Sequence, residues 1–133
     1  MEEAMVSIEV EVNITESVEK VKRAIENIFG SIQTTVEPLH KEVKIAVESK
    51  GSEALVKFYN LLRRERVRAA ARKVFLEGID GKTVNFCLNK QVAYAGHISF
   101  SKEEAESPLG PVKVKIRSEN PRRLIDWLTS EII

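Results

Sequence analysis

One cysteine in 133 residues leaves the chain without an intrachain disulfide, and that thiol with two histidines cannot complete a structural zinc site. Aromatic residues make up 6% of the chain, and no aromatic-rich strand of the kind that stacks RNA bases is present. No apolar run approaches the ~20 residues needed to cross a bilayer. The amino end, MEEAMVSIEVEV, is acidic and alternating, unlike a secretory or transit peptide, so a cytoplasmic protein is expected. An excess of one sign of charge is missing too. With 21 Lys and Arg against 20 Asp and Glu the net charge is +1, and no global basic field draws in nucleic acid. What is there, 43% hydrophobic and 31% charged residues, fits a globular chain whose length suits one domain, 1–133.

Hydrophobic periodicity then places the elements. Residues 5–14 alternate strictly, with Val6, Ile8, Val10, Val12 and Ile14 on one face and Ser7, Glu9, Glu11 and Asn13 on the other. That pattern is a strand with one wet face. Thr15 or Ser17 caps a helix whose Val18, Val21, Ile25 and Ile28 recur at three- and four-residue spacing until Gly30. Strands are expected at 31–37 and 42–48, with Pro38 between them. From Ser52 to Gly78 the chain is helical but not one straight helix. Leu55, Phe58, Tyr59 and Leu62 share a face; Val67, Ala70, Ala71 and Val74 share another, rotated by about 120°. A bend near Leu62–Glu65 divides the stretch into helices at 52–62 and 65–77. Strands follow at 82–88, 97–100 and 112–117, with 89–96 open between short helix and loop and a charged loop at 101–111. Asn120 caps, and Pro121 opens, a last helix carrying Leu124, Ile125 and Leu128. The order gives an α+β fold, a mainly antiparallel sheet with helices packed on one face.

Catalytic chemistry finds little support. GIDGKT (78–83) ends like a phosphate-binding loop, but its glycine spacing is wrong and it leads into a strand where such a loop must open a helix. Cys87 and His97 are the one pair that could be nucleophile and base, yet Cys87 lies in an alternating strand, where a free cysteine is ordinarily just packed. Glu103, Glu104 and Glu106 crowd a loop without the spacing of a calcium site. No enzyme, cofactor, metal or small-molecule ligand is expected.

The basic segment 63–73, RRERVRAAARK, is the strongest local signal: six bases against Glu65 alone. Arg64, Arg68 and Arg72 are four apart and line one helical stripe, where guanidinium groups a turn apart can grip successive phosphates. Two plainer readings stand beside it. The arginines can pair with acids elsewhere, for which residues 1–19 offer six Glu and no Lys or Arg, or they can serve an interface. Lys113, Lys115 and Arg117 form a second basic row on the last strand. If that strand neighbours the first, Glu9 and Glu11 lie opposite and make cross-strand ion pairs.

The strings LRRERVRAAARKVFLEG (62–78), FCLNKQVAYAGHISF (86–100) and ESPLGP (106–111) resemble an archaeal family of uncharacterised proteins described as RNA-binding-like. That family's fold is similar to the large-subunit ribosomal protein that holds 5S RNA. The resemblance spans nearly the whole chain, to PRRLIDWL (121–128). It implies one α+β domain, a homodimer and no established enzymatic activity, with a link to RNA through fold alone. The expected function is therefore a non-enzymatic homodimer, soluble and clear of membranes, contacting RNA through Arg64, Arg68, Arg72 and Lys90. Asn89-Lys90-Gln91 carries groups able to bond phosphate or base edges, although Asn89 can equally be a helix cap. The alternative is a protein-interaction or scaffold module that binds no nucleic acid.

Overall fold

The strict alternation at the amino end becomes β1, Met5–Val12, with Val6, Ile8, Val10 and Val12 buried and Glu9 and Glu11 exposed. The computed structural model describes residues 4–13, 15–30, 35–38, 43–50, 52–101 and 110–130. Ser17, rather than Thr15, caps the next element: its hydroxyl accepts the Lys20 N–H at 3.4 Å and starts α1, Val18–Phe29. Gly30, at φ 85, ends it in a backbone region open to glycine. There follow β2 (Thr35–Pro38), β3 (Val43–Lys50), α2 (Ser52–Arg64), α3 (Arg68–Glu77), β4 (Ile79–Asp80) and β5 (Thr83–Asn89). The chain continues through α4 (Lys90–Tyr94), β6 (Phe100–Ser101), β7 (Pro111–Arg117) and α5 (Pro121–Thr129).

The strands form one sheet in the order β2-β3-β1-β7-β5-β4, with β6 also on β5. Every pairing among the described residues is antiparallel. First and last strands are neighbours, so β1 lies between β3 and β7. β2 is an edge strand ending in Pro38, where a missing N–H costs no ladder bond; residues 31–34 of the expected strand lie outside the described residues, as does most of the 101–111 loop.

The break in the long helical stretch comes slightly later than Leu62–Glu65. Leu61 and Leu62 are both buried, so α2 runs on to Arg64 before the chain turns. Arg66 makes the turn in the left-handed region at φ 57, and α3 starts at Arg68. The open stretch after β5 is settled by Asn89, whose side chain accepts the Val92 N–H at 3.1 Å and caps α4. In place of the strand expected at 97–100 there is a short one at Phe100–Ser101, because the His97 and Ile98 N–H groups donate to the Val92 carbonyl and to Glu65 Oε1 rather than to a strand.

One face of the sheet carries the core, and α1, α2, α3 and α5 cover it. All five phenylalanines are used there. Phe58 lies 5.2 Å from Phe29 and 5.6 Å from Phe86, and Phe75 packs on both Phe86 and Phe100. The scarce aromatic residues are thus spent on packing. On the other face of β1, β5 and β7 no described helix packs; its β7 side chains are exposed and those of β5 half-buried.

Candidate nucleic-acid interface

The break at 65–67 divides the expected arginine stripe. Arg64 closes α2, while Arg68 and Arg72 belong to α3. Arg64 turns to the loop after α4, donating from Nη2 to the Gly96 carbonyl at 3.0 Å, and its side chain stays 64% exposed. Arg68 and Arg72 turn instead to the carboxyl end of α5. Arg68 Nη1 donates to the Ser130 carbonyl at 2.8 Å. Arg72 Nη1 meets Asp126 Oδ1 at 2.7 Å and Thr129 Oγ1 at 3.3 Å, with 47% of its side chain exposed. Two acids bear on the cluster, Asp126 of α5 at Arg72 and Glu65, whose Oε2 lies 4.0 Å from Arg64 Nε; neither comes from the glutamate-rich amino end.

Arg63, not singled out by the sequence pattern, does the most structural work of the group. Its Nη1 donates to the Tyr59 and Leu128 carbonyls at 3.1 and 3.0 Å, its Nη2 to Ser130 O at 2.7 Å, and its guanidinium carbon lies 3.3 Å from the Tyr59 ring centroid. Carbonyls at a helix carboxyl end have no partners within the helix, and a cation there satisfies them and opposes the dipole. Burial holds the Arg63 pKa below its ordinary value, with Arg68 acting the same way and Tyr59 opposing. Arg66 and Lys73 remain exposed, and neither side chain makes a hydrogen bond or salt bridge to another described residue.

Lys90 is corrected by its burial. Its side chain is 0% exposed, and its ammonium donates to the Glu11 carbonyl at 2.7 Å and to Glu16 Oε1 at 2.9 Å. Glu16 also accepts from the Asn13 backbone N–H and from the Tyr94 hydroxyl at 2.9 Å. Burial alone would raise the Glu16 carboxyl; the bonds from Asn13, Lys90 and Tyr94 outweigh it and hold the pKa low. Tyr94 is pushed well up, first by burial and then by Glu16. Lys90 thus ties α4 to the β1–α1 turn and reaches no outside phosphate. The signal was in the parity of the chain: Val84, Phe86 and Leu88 are the inward residues of β5, and Lys90, the first residue of α4, continues that alternation.

The second basic row behaves differently from expectation. β7 does lie beside β1, with Lys113 opposite Glu9, but Lys115 faces Ser7, Arg117 faces Met5, and Glu11 registers with Lys44 of β3. Only one acid of the expected two lies across from the row. Elsewhere, His97 Nδ1 is engaged by Glu65 Oε1 at 2.8 Å, and Cys87 registers with Ser101 and Lys113. Among the described residues no three His, Cys, Asp or Glu side chains come together as a metal ion requires. No helix among them is long and apolar enough to cross a membrane.

Comparison with known proteins agrees with this architecture. A family model described as RNA binding matches residues 5–118. A UPF0201 protein of Sulfurisphaera tokodaii is 46% identical over 92% of this chain and 84% of its own length. One from Pyrobaculum calidifontis is 40% identical over 90% and 84%. The crystal structure of a UPF0201 protein from Methanococcus jannaschii has a TM-score of 0.83 at 32% identity, covering 94% of this chain and 98% of that one.

Proposed function

The chain belongs to the archaeal UPF0201 family, whose members are uncharacterised and whose model carries the description RNA binding, and from that premise we propose that it contacts RNA through phosphates. The contact surface lies around the α2–α3 break and comprises Arg64, Arg66, Arg68 and Lys73, with Arg72 beside them. One observation carries this. Arg64 and Arg68 hydrogen-bond to neutral backbone carbonyls, which orient a guanidinium without cancelling its charge; the one acid near Arg64 among the described residues, Glu65, stands 4.0 Å from its Nε and is shared with His97. Arg72, engaged by Asp126, adds least.

The experiment is a titration of a stem–loop RNA, followed by fluorescence anisotropy. Arg64→Ala/Arg66→Ala/Lys73→Ala should weaken binding roughly tenfold at moderate salt, and Arg72→Ala much less. Equal affinity in the triple variant removes the proposed surface. Arg68 is left in place because it also holds the end of α5.

The protein acts as a non-enzymatic homodimer in the cytoplasm in this scheme. Val56 on α2 and Leu76 on α3 are exposed apolar side chains, and they favour a competing role as a protein-interaction module. A nuclease-resistant protein partner, together with no RNA binding, supports that role instead.

A further inference from the structure

Lys113, Lys115 and Arg117 stand in line on the open face of the sheet, on the opposite side from the helices. Alternate residues of a strand are ~6.7 Å apart, so three positive charges lie within about 13 Å along β7. Lysine on a sheet often protects an edge strand from pairing. β7 is not an edge; it runs between β1 and β5. Nor does any of these side chains make a hydrogen bond or salt bridge with another described residue. Three like charges in a row repel one another. Two carboxylates bear on them: Glu9 registers with Lys113, and Arg117 acts on Glu119, which Lys82 already binds at 2.6 Å.

The neighbouring strands add room. Ser7 and Glu9 on one side and Asn85, Cys87 and Ser101 on the other line a trough of about 700 Å³, with Lys113 and Lys115 along it. The trough runs over β7 between its two neighbours, and its cations follow a single line. We propose that it holds single-stranded RNA by its phosphate backbone, an inference that rests on the RNA-binding role proposed above. The described residues lining it offer no exposed aromatic face, so bases find no stacking platform and the site is indifferent to sequence. This is a second surface, reached without the α2–α3 arginines.

Cys87 makes the site testable in place. It is the sole cysteine of the chain, half-buried on β5 and in register with Lys113. A uridine oligonucleotide about twelve nucleotides long is titrated by anisotropy, and the rate of Cys87 alkylation by N-ethylmaleimide, an uncharged reagent, is followed with and without it. Bound oligonucleotide should slow alkylation about tenfold in the wild type and equally in Arg64→Ala/Arg66→Ala/Lys73→Ala. Lys113→Gln/Lys115→Gln/Arg117→Gln should lose binding at least about tenfold and lower the salt slope by about 2. Binding with unchanged Cys87 alkylation overturns the sheet site while leaving the RNA role standing, since the oligonucleotide then lies elsewhere. Binding of the stem–loop but not of the oligonucleotide does the same. No binding of either RNA overturns both. An oligonucleotide-free protein whose Cys87 is already shielded at concentrations where light scattering shows a dimer assigns the face to a second copy and also overturns the proposal. Because the alkylation measurement uses the unaltered chain, it stands even if the triple glutamine variant folds poorly.

Discussion

Lys90 shows most plainly what a single residue does in this fold. A buried ammonium is tolerated because Glu16 and the Glu11 carbonyl satisfy it, and removing one member of such a pair leaves the other charge buried without its partner. Lys90→Met should therefore destabilise the protein by about 3 kcal/mol in urea unfolding, and adding Glu16→Gln should recover part of that loss. The pH dependence follows from the same contacts. The Glu16 carboxyl is held below its ordinary value of 4.5, so the folded state binds its proton less readily than the unfolded chain. The resulting stability is present above the ordinary value and is lost as pH falls through the lowered folded value. Glu16→Gln should accordingly flatten the acid side of the stability profile measured by urea midpoints. An acid limb as steep as the wild type's would show that other carboxylates govern it.

At the scale of elements, the junction between α3 and β5 depends on a missing side chain. The Gly78 carbonyl accepts from the Asn85 N–H at 2.9 Å and from Asn85 Nδ2 at 3.1 Å, and a Cβ on Gly78 would fall on the Asn85 carbonyl. Gly78→Ala must push β5 away and should cost more than about 2 kcal/mol, seen as a lower denaturation midpoint. The element pattern was largely legible because alternation and three-to-four spacing report burial directly: β1, β5, β7, α1 and α5 follow their inward residues. The conflict between the Leu55–Leu62 and Val67–Val74 faces also foretold the helix break, although not that Arg66 would make it. The candidate site was less legible. Four-residue spacing of Arg64, Arg68 and Arg72 means one stripe only on an unbroken helix, and the break sends Arg64 toward Gly96 and the others toward α5. Acceptors such as the Ser130 carbonyl are backbone atoms brought close by α3–α5 packing, and no residue-type pattern announces them.

For the molecule as a whole, a net charge of +1 hides an uneven layout. Cations gather at the α2–α3 break and along β7, on opposite sides of the sheet, and the acids near the break offset only part of the first group: Asp126 holds Arg72, and Glu65 is shared between Arg64 and His97, while Glu16 is buried with Lys90. What matters for a polyanion is therefore the set of charges left without an acidic partner. That set releases counterions when RNA binds, and the released number appears as the slope of log affinity against log salt. The decisive measurement is that slope for the unaltered protein with a single-stranded uridine oligonucleotide, from about 50 to about 200 mM salt. Three β7 cations acting on phosphates give a slope of about −2 or steeper. An affinity that does not change with salt, or no measurable binding at the lowest salt, contradicts the account.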